Sequence, residues 1–197
     1  MTFVLATANA GKVKEMQSLL SHLGYDVKSR HELGFDFEIE ETGTTFLENA
    51  TLKADAICKA TGLPSIADDS GLMVDALGGA PGVYSSLYGG EQLTDVQRYE
   101  YLLENMENTK LRTAKFVCTI VCTFPNGDRL VSEGECKGEI IQEARGGGGF
   151  GYDPVFLVSG TDKTMAQLTS EEKNSISHRG EALKKFVLQL QKERGNV

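Results

Sequence analysis

The fold class is decided by residues 3–12, which read Phe3-Val4-Leu5-Ala6-Thr7-Ala8-Asn9-Ala10-Gly11-Lys12. The first four residues are apolar, as in a short buried strand. Beyond Lys12, apolar residues recur at helical spacing, and a glycine follows them as a helix end. The order strand, tight loop, helix indicates an α/β protein. The periodic residues are Val13, Met16, Leu20 and Leu23, followed by Gly24.

The rest of the chain continues to mix helices with strands. Capping boxes at Thr45–Glu48 and Thr94–Gln97 predict two helix starts. Asn126-Gly127, between two β-rich runs, predicts a hairpin. We therefore predict an α/β fold with a mixed central sheet and flanking helices. Further predicted elements are strands at 25–29, 65–67, 116–124, 130–136 and 155–158, and a last helix carrying Ile176, Leu183, Val187 and Leu190.

Composition narrows the class of protein. The chain has 197 residues and a net charge of −8, which argues against a protein that grips nucleic acid through its phosphates. Its length suits a single domain over residues 1–197. Neither a secretory signal nor a run long enough to span a membrane is apparent. The four cysteines lack zinc-like spacing, so we expect reduced, mostly buried thiols in a cytoplasmic protein.

The turn Thr7–Lys12 is a candidate phosphate site. A helix N-terminus offers N–H groups and partial positive charge, and Lys12 adds a full charge. The Walker A pattern fails, because its first glycine is missing and Val13 stands at the Ser/Thr position. The alternative is an ordinary capped turn with a solvated lysine.

Carboxylates form the second candidate group. Glu38, Glu40 and Glu41 share one loop, and we predict that Asp68-Asp69 ends the short strand 65–67 at the rim of the sheet. Paired carboxylates suit Mg²⁺, and one of them could take a proton from water. The alternative is a solvated acidic turn.

Two further segments carry unusual chemistry. The glycine run 146–149 precedes Phe150-Gly151-Tyr152-Asp153, whose aromatic rings could stack on a base. The glycines could form a moving lid or a fixed turn, and the aromatics could instead dock into the core. Lys173 and His178-Arg179 are cationic donors near the last helix.

In this order and spacing, these segments resemble the noncanonical purine nucleoside triphosphate pyrophosphatases, also called the inosine triphosphate pyrophosphatase or XTP/dITP diphosphatase family. The resemblance runs from Phe3 to about Leu188. The matching stretches are Thr7–Lys12, Glu40–Gly43, Ala67–Leu72, Gly78–Gly82, Phe150–Pro154, Lys173 and Ser177–Arg179.

The resemblance implies an elongated two-lobed protein around a substrate cleft, a homodimer and Mg²⁺ dependence. The implied reaction converts ITP, dITP or XTP to the monophosphate and pyrophosphate. Asp69 resembles the proton acceptor, and Glu40 with Asp69 the metal ligands, with Glu41 and Asp68 as alternatives. The implied triphosphate contacts are Thr7, Ala8, Asn9, Ala10, Gly11, Lys12, Ser70 and Lys173, and the base contacts are Phe150, Gly151, Tyr152, Asp153, His178 and Arg179.

The chain departs from the family at Leu87, where relatives often carry arginine after the Ala-Pro-Gly turn. Three alternatives remain: a Maf-type pyrophosphatase acting on other nucleotides, a nucleotide-binding module without catalysis, and a repair factor acting on inosine in DNA. The acidic net charge argues against the last of these. How guanine is excluded does not follow from the sequence.

Overall fold

A computed structural model describes residues 2–22 and 24–195. It confirms the opening order, with β1 (Thr2–Leu5) followed by α1 (Ala10–His22). Asn9 caps this helix, because its Oδ1 accepts the N–H groups of Gly11 at 2.9 Å and Lys12 at 3.2 Å. Leu23, predicted on the apolar face of α1, lies outside the described residues.

The strands form one mixed sheet, as predicted. Besides β1, the strands are β2 (Asp26–Ser29), β3 (Ser65–Val74), β4 (Thr113–Thr123), β5 (Arg129–Ile140) and β6 (Phe156–Val158). Within the described residues, the six-stranded order is β2-β1-β3-β4-β5-β6. β1 runs parallel to β2 and β3, whereas β5 and β6 are antiparallel. Gly127 turns the chain between β4 and β5 with φ +92°.

Among the described residues, three of the four remaining α-helices begin where a threonine side chain accepts an N–H group of the first turn. The four are α2 (Phe46–Thr61), α3 (Asp95–Asn105), α4 (Ser170–Ile176) and α5 (His178–Gly195). Both predicted capping boxes are present, at Thr45 and Thr94, and a third begins α4 at Thr169. α2 ends at Gly62, whose left-handed φ of +65° favours glycine.

The chain divides into two compact units. Unit 1 is drawn from Met1–Asp69, Cys118–Gly134 and Arg179–Val197, and unit 2 from Ser70–Val117 and Glu135–His178. The single domain over residues 1–197 stays a prediction.

In unit 1, alternate residues of β1 pack into different clusters. Phe3 and Leu5 join the buried residues of α1 and α5, whereas Val4 and Ala6 join those of α2. This follows from the two-residue period of a strand, whose side chains point to opposite faces. The sheet in unit 1 is therefore covered by α1 and α5 on one face and by α2 on the other.

Unit 2 has its own buried cluster. Side chains from β3, α3, β4, β5 and β6 contribute to it, and Phe116 and Phe156 lie with ring centroids 4.6 Å apart. Tyr152 also belongs to this cluster. Of the two aromatic residues that the alternative placed in the core, Tyr152 is buried there and Phe150 is half-buried.

Two sequence predictions were wrong. The strand from Ser65 does not end before Asp68 but continues for ten residues to Val74, so the aspartates lie within the sheet and not at a strand end. Ile176 does not share a face with Leu183, because it is the last residue of α4 and α5 begins at His178. Residue Ser177, extended at ψ 156°, separates the two helices.

Candidate active site

Asp68 and Asp69 are consecutive residues of β3, and they meet different surroundings. Successive side chains of a strand point to opposite faces. Asp68 accordingly contacts Lys12 of α1 and Arg179 of α5, whereas Asp69 contacts residues of α2. The alternation that divides the core of unit 1 therefore also separates these two carboxylates.

Asp68 is fully buried and held by cations. Its Oδ2 lies 3.0 Å from Lys12 Nζ, and it accepts hydrogen bonds from Arg179 NH2 at 3.0 Å and Nε at 3.3 Å. Burial alone would raise the pKa of Asp68, but the ammonium of Lys12 and the guanidinium of Arg179 outweigh it and hold the pKa well below its usual range. Asp68 is therefore an ionised anchor for both cations.

Asp69 faces one side of α2. Lys53 Nζ donates to its Oδ1 at 3.1 Å, and Asn49 Nδ2 donates to its Oδ2 at 3.4 Å. Burial raises the pKa of Asp69, and the ammonium of Lys53 opposes part of that effect. Asp69 is 7% exposed, whereas Asp68 is 0% exposed, so Asp69 is the more accessible of the two.

Lys53 joins Asp69 to the segment Glu40–Gly43, which we call the acidic loop. Its Nζ lies 2.9 Å from Glu41 Oε2 as well as 3.1 Å from Asp69 Oδ1. Of the two glutamates that the sequence offered, the one held at this lysine is Glu41, and Glu40 beside it is exposed. The structure thus places the Glu40–Gly43 segment near Asp69 through Lys53.

The Thr7–Lys12 turn is built as a helix cap. Asn9 accepts two N–H groups of the first turn, and its own N–H donates to Thr7 Oγ1 at 3.2 Å. Lys12 is not the solvated lysine of the capped-turn alternative, because its ammonium is paired with Asp68. Ala8, Ala10 and Gly11 contribute backbone to this turn.

A second group of predicted residues lies in unit 2. Asp153 Oδ2 accepts the N–H of Phe150 at 3.0 Å and a hydrogen bond from Lys173 Nζ at 2.7 Å. The same ammonium lies 4.8 Å from the centroid of the Phe150 ring. The resemblance assigns Lys173 to the triphosphate and Phe150 and Asp153 to the base. The structure brings the three residues together.

Other residues of this second group are fixed by the protein itself. Tyr152 donates its hydroxyl to the carbonyl of Ser85 at 2.8 Å, and Gly151 N–H donates to Asp95 at 2.8 Å. The imidazole of His178 stacks on Phe116 with centroids 4.9 Å apart. Ser70, at the start of unit 2, is half-buried in β3.

The glycine run before Phe150 is packed closely. Gly148 N–H donates to the carbonyl of Ala166 at 3.1 Å. A Cβ at Gly149 would lie 2.0 Å from Asp153 Oδ2, and its φ is +74°. Glycine is thus required where the run approaches the Asp153 carboxylate, which supports the fixed-turn alternative.

The cysteines of the chain are free and buried, as expected. Cys118 Sγ lies 4.0 Å from Asp68 Oδ2, and burial together with that carboxylate raises the thiol pKa to about 12. At pH 8 the thiol of Cys118 should therefore stay protonated and unreactive.

We expect iodoacetamide at pH 8 to leave Cys118 unlabelled in the native protein and to label it in guanidinium chloride. Peptide mass spectrometry of both samples measures this directly, with the denatured protein as the control. Equal labelling rates in the two samples would contradict the buried environment of the thiol.

Comparison with known proteins identifies the family. The model of the Ham1 family matches residues 3–189. The chain belongs to the Ham1 family. This confirms the relationship that the sequence motifs indicated, because the Ham1 relatives carry names from the family that the motifs resemble.

Two relatives and one solved structure illustrate the match. A dITP/XTP pyrophosphatase of Bacillus subtilis (strain 168) is 53% identical over 185 residues, or 93% of each chain. A dITP/XTP pyrophosphatase of Salmonella typhimurium is 55% identical over 185 residues, covering 92% of this chain and 93% of its own. The structure of the Staphylococcus aureus Ham1 protein has a TM-score of 0.87 at 44% identity, covering 98% of this chain and 100% of that one.

Sequence reasoning missed three polar residues of this Ham1 site: Glu15, Asn49 and Lys53. Lys53 and Asn49 contact Asp69, and Glu15 accepts from Arg179 NH1 at 2.5 Å. Asn49 and Lys53 lie one turn apart on α2, directly behind the capping box. That spacing was the available signal, since residues four apart share a helix face.

The residues around Asp69 fit a hard cation that also binds substrate phosphates. Within residues 2–22 and 24–195, no group of three or more His, Cys, Asp or Glu is arranged to hold a metal ion. Mg²⁺ usually takes one or two carboxylates and completes its shell with water and substrate oxygens. Glu41 and Asp69, which both pair with Lys53, supply an incomplete oxygen set of that kind, and the ammonium of Lys53 shows that their negative charge attracts a cation.

Proposed function

We propose that this Ham1 protein hydrolyses noncanonical purine nucleoside triphosphates, namely ITP, dITP and XTP, to the monophosphate and pyrophosphate. The observation that carries this proposal is the Asp69 carboxylate, which is more accessible than that of Asp68. Each of its two oxygens accepts a hydrogen bond from a side chain of α2. Relatives of this chain that are named dITP/XTP pyrophosphatase support the substrate class. Removal of such triphosphates from the nucleotide pool is the proposed role.

Asp69 is the proposed proton acceptor for the attacking water. Asp68 is unsuited to this role, because it is fully buried and its Oδ2 is bound by Lys12 and Arg179. The water attacks the α-phosphorus, its proton passes to Asp69, and the bond to the bridging oxygen breaks to release pyrophosphate. Lys53 keeps the Asp69 carboxylate oriented and balances negative charge beside it.

Glu40 and Asp69 would hold Mg²⁺, with Glu41 close by through Lys53. Bound there, the ion would stabilise negative charge on the phosphate oxygens as pyrophosphate leaves. Lys12, Asn9 and Thr7 would contact the triphosphate with the backbone of Ala8, Ala10 and Gly11, together with Ser70.

Base selection is assigned to Phe150, Gly151, Tyr152 and Asp153, with His178. A donor facing the 6-keto oxygen accepts hypoxanthine or xanthine and meets the 6-amino donor of adenine unfavourably. The resemblance implied that Arg179 contacts the base, but its nitrogens donate to Asp68 and Glu15. We therefore assign Arg179 to orienting Asp68, and Lys173 to orienting the Phe150–Asp153 turn.

A homodimer and a cytoplasmic location complete the proposal. The homodimer follows the family resemblance, and the cytoplasmic location follows the cysteines, whose buried free thiols agree with a reducing compartment. No helix among the described residues is long and apolar enough to cross a membrane. Leu87 is 48% exposed, so a contact that arginine makes there in relatives would be lost without disturbing the core.

A pyrophosphate-release panel tests this function. We expect kcat/KM for ITP, dITP and XTP to exceed that for ATP by about 10³-fold or more, because a mismatched donor pair is left unsatisfied with adenine. Omitting Mg²⁺ should abolish release. GTP, dUTP and TTP complete the panel. Equal turnover of ITP and ATP would refute the base selection, and a preference for dUTP or TTP would favour a Maf-type activity.

A further inference from the structure

Asn49 lies between the acidic loop and Asp69. It is 3% exposed and sits in the first turns of α2. Its Oδ1 accepts the N–H of Gly43 at 2.8 Å, and its Nδ2 donates to Asp69 Oδ2 at 3.4 Å. The two partners fix the orientation of the amide, since an N–H needs an acceptor and a carboxylate needs a donor.

The loop approaches Asn49 too closely for a side chain at Gly43. A Cβ there would lie 2.6 Å from both Asn49 Oδ1 and Glu48 Cβ. Glu48 Oε2 also accepts the N–H groups of Thr44 at 2.6 Å and Thr45 at 3.1 Å. The end of the acidic loop is therefore fixed to α2 by three consecutive N–H groups, and only the bond of Gly43 leads on to Asp69.

Asn49 and Lys53 both connect Asp69 to the acidic loop. They lie four residues apart on α2, so both face β3. Lys53 bonds Asp69 Oδ1 and Glu41, while Asn49 bonds Asp69 Oδ2 and Gly43. Each therefore connects one oxygen of Asp69 to the loop that carries Glu40.

We propose that Asn49 is a positioning residue that sets the distance and orientation between the Glu40–Gly43 loop and Asp69. Its amide bonds the N–H of Gly43 and Asp69 Oδ2, and it acts on the reaction through these two residues. This inference rests on the proposed function, in which that loop and Asp69 together supply the metal-binding carboxylates. A neutral amide suits the position, because it donates to one side and accepts from the other without adding charge.

Two substitutions separate the acceptor from the donor. Asn49→Ala removes both, so Gly43 N–H loses its bond and deuterium exchange of the peptide containing Gly43 should rise about fivefold, the factor for one hydrogen bond. Asn49→Asp keeps an acceptor for Gly43, so that exchange should stay near wild type. In both variants kcat for ITP at saturating Mg²⁺ should fall about 10–100-fold, as for residues that orient a ligand, with KM changing much less.

Ala54→Gly is the matched control. It weakens the same helix at a buried position of the apolar cluster without removing a bond to Asp69 or Gly43. Wild-type exchange in Asn49→Ala, wild-type kcat in Asn49→Asp, or an equal loss of kcat in Ala54→Gly and Asn49→Ala would each overturn the positioning role. A wild-type chain without Mg²⁺-dependent ITP turnover would instead overturn the proposed function. If Asn49→Ala does not fold, the kcat of Asn49→Asp decides, since it retains the Gly43 bond.

Discussion

Asp69→Asn is expected to lower kcat for ITP hydrolysis about 10³-fold while the protein still binds ITP. The substitution keeps the shape of the side chain but removes the base that takes a proton from water. It also removes a negative oxygen ligand from the proposed Mg²⁺ site. Lys53 would still find an oxygen at this position, so the fold of unit 1 should be retained. Pyrophosphate release measures turnover, and calorimetric titration with ITP measures binding.

Asp75→Asn provides the control for that experiment. Asp75 directly follows β3 and is exposed, with a hydrogen bond from Thr113. It undergoes the same chemical change on the same segment without touching α2, so its turnover should equal that of the wild type. Retained turnover in Asp69→Asn would exclude Asp69 as the proton acceptor. Retained ITP binding with no turnover in the wild type would favour the binding module without catalysis.

Local features of the fold could be predicted because their causes lie within a few residues. The capping boxes at Thr45 and Thr94 each satisfy helix N–H groups with side chains three residues apart. The Asn126-Gly127 turn needs the left-handed backbone that glycine adopts at low cost. The apolar run Phe3–Ala6 needed only to be buried on both faces. None of these depends on distant parts of the chain.

The extent of β3 could not be predicted, because it depends on distant charges. Aspartate has a low propensity for β-strands, so local propensity alone predicts that a strand ends at two adjacent aspartates. The strand continues because Asp68 meets Arg179, more than a hundred residues away, and Asp69 meets Lys53 on α2. A buried carboxylate is tolerated only where such partners exist. The identity of these partners comes from tertiary packing and has no local pattern.

The net charge of −8 argues only against ligands that are large polyanions, such as nucleic acids. Inside unit 1, individual cations lie directly against buried carboxylates: Lys12 and Arg179 both pair with Asp68, and Lys53 pairs with Asp69. One small triphosphate with its metal ion needs only such local positive charge. An acidic chain is therefore compatible with the proposed substrate, and in the proposed function part of its acidity would hold the metal.

Asp68→Asn is expected to lower the free energy of unfolding by about 3–5 kcal/mol, the range for breaking a buried ion pair from one side. The guanidinium of Arg179 is 2% exposed and would lose its main anionic partner. Lys12 is less affected, because 14% of its side chain already reaches solvent. Urea unfolding at pH 7 followed by circular dichroism gives the free energy. Lys115→Met, which breaks the exposed pair with Glu135, is the control and should change stability by less than about 1 kcal/mol.

A double-mutant cycle with Arg179→Met shows whether the loss belongs to the Asp68–Arg179 pair. Arg179→Met leaves Asp68 buried with Lys12 as its remaining cation among these contacts, and it also releases Glu15. In Asp68→Asn/Arg179→Met both charges are gone, and an amide and a thioether of similar volume are left. The double variant should therefore be more stable than the sum of the single losses implies, by about 1–3 kcal/mol. Additive losses would mean that each charge is stabilised by its other neighbours, Lys12 and Glu15, and that Arg179 does not orient Asp68.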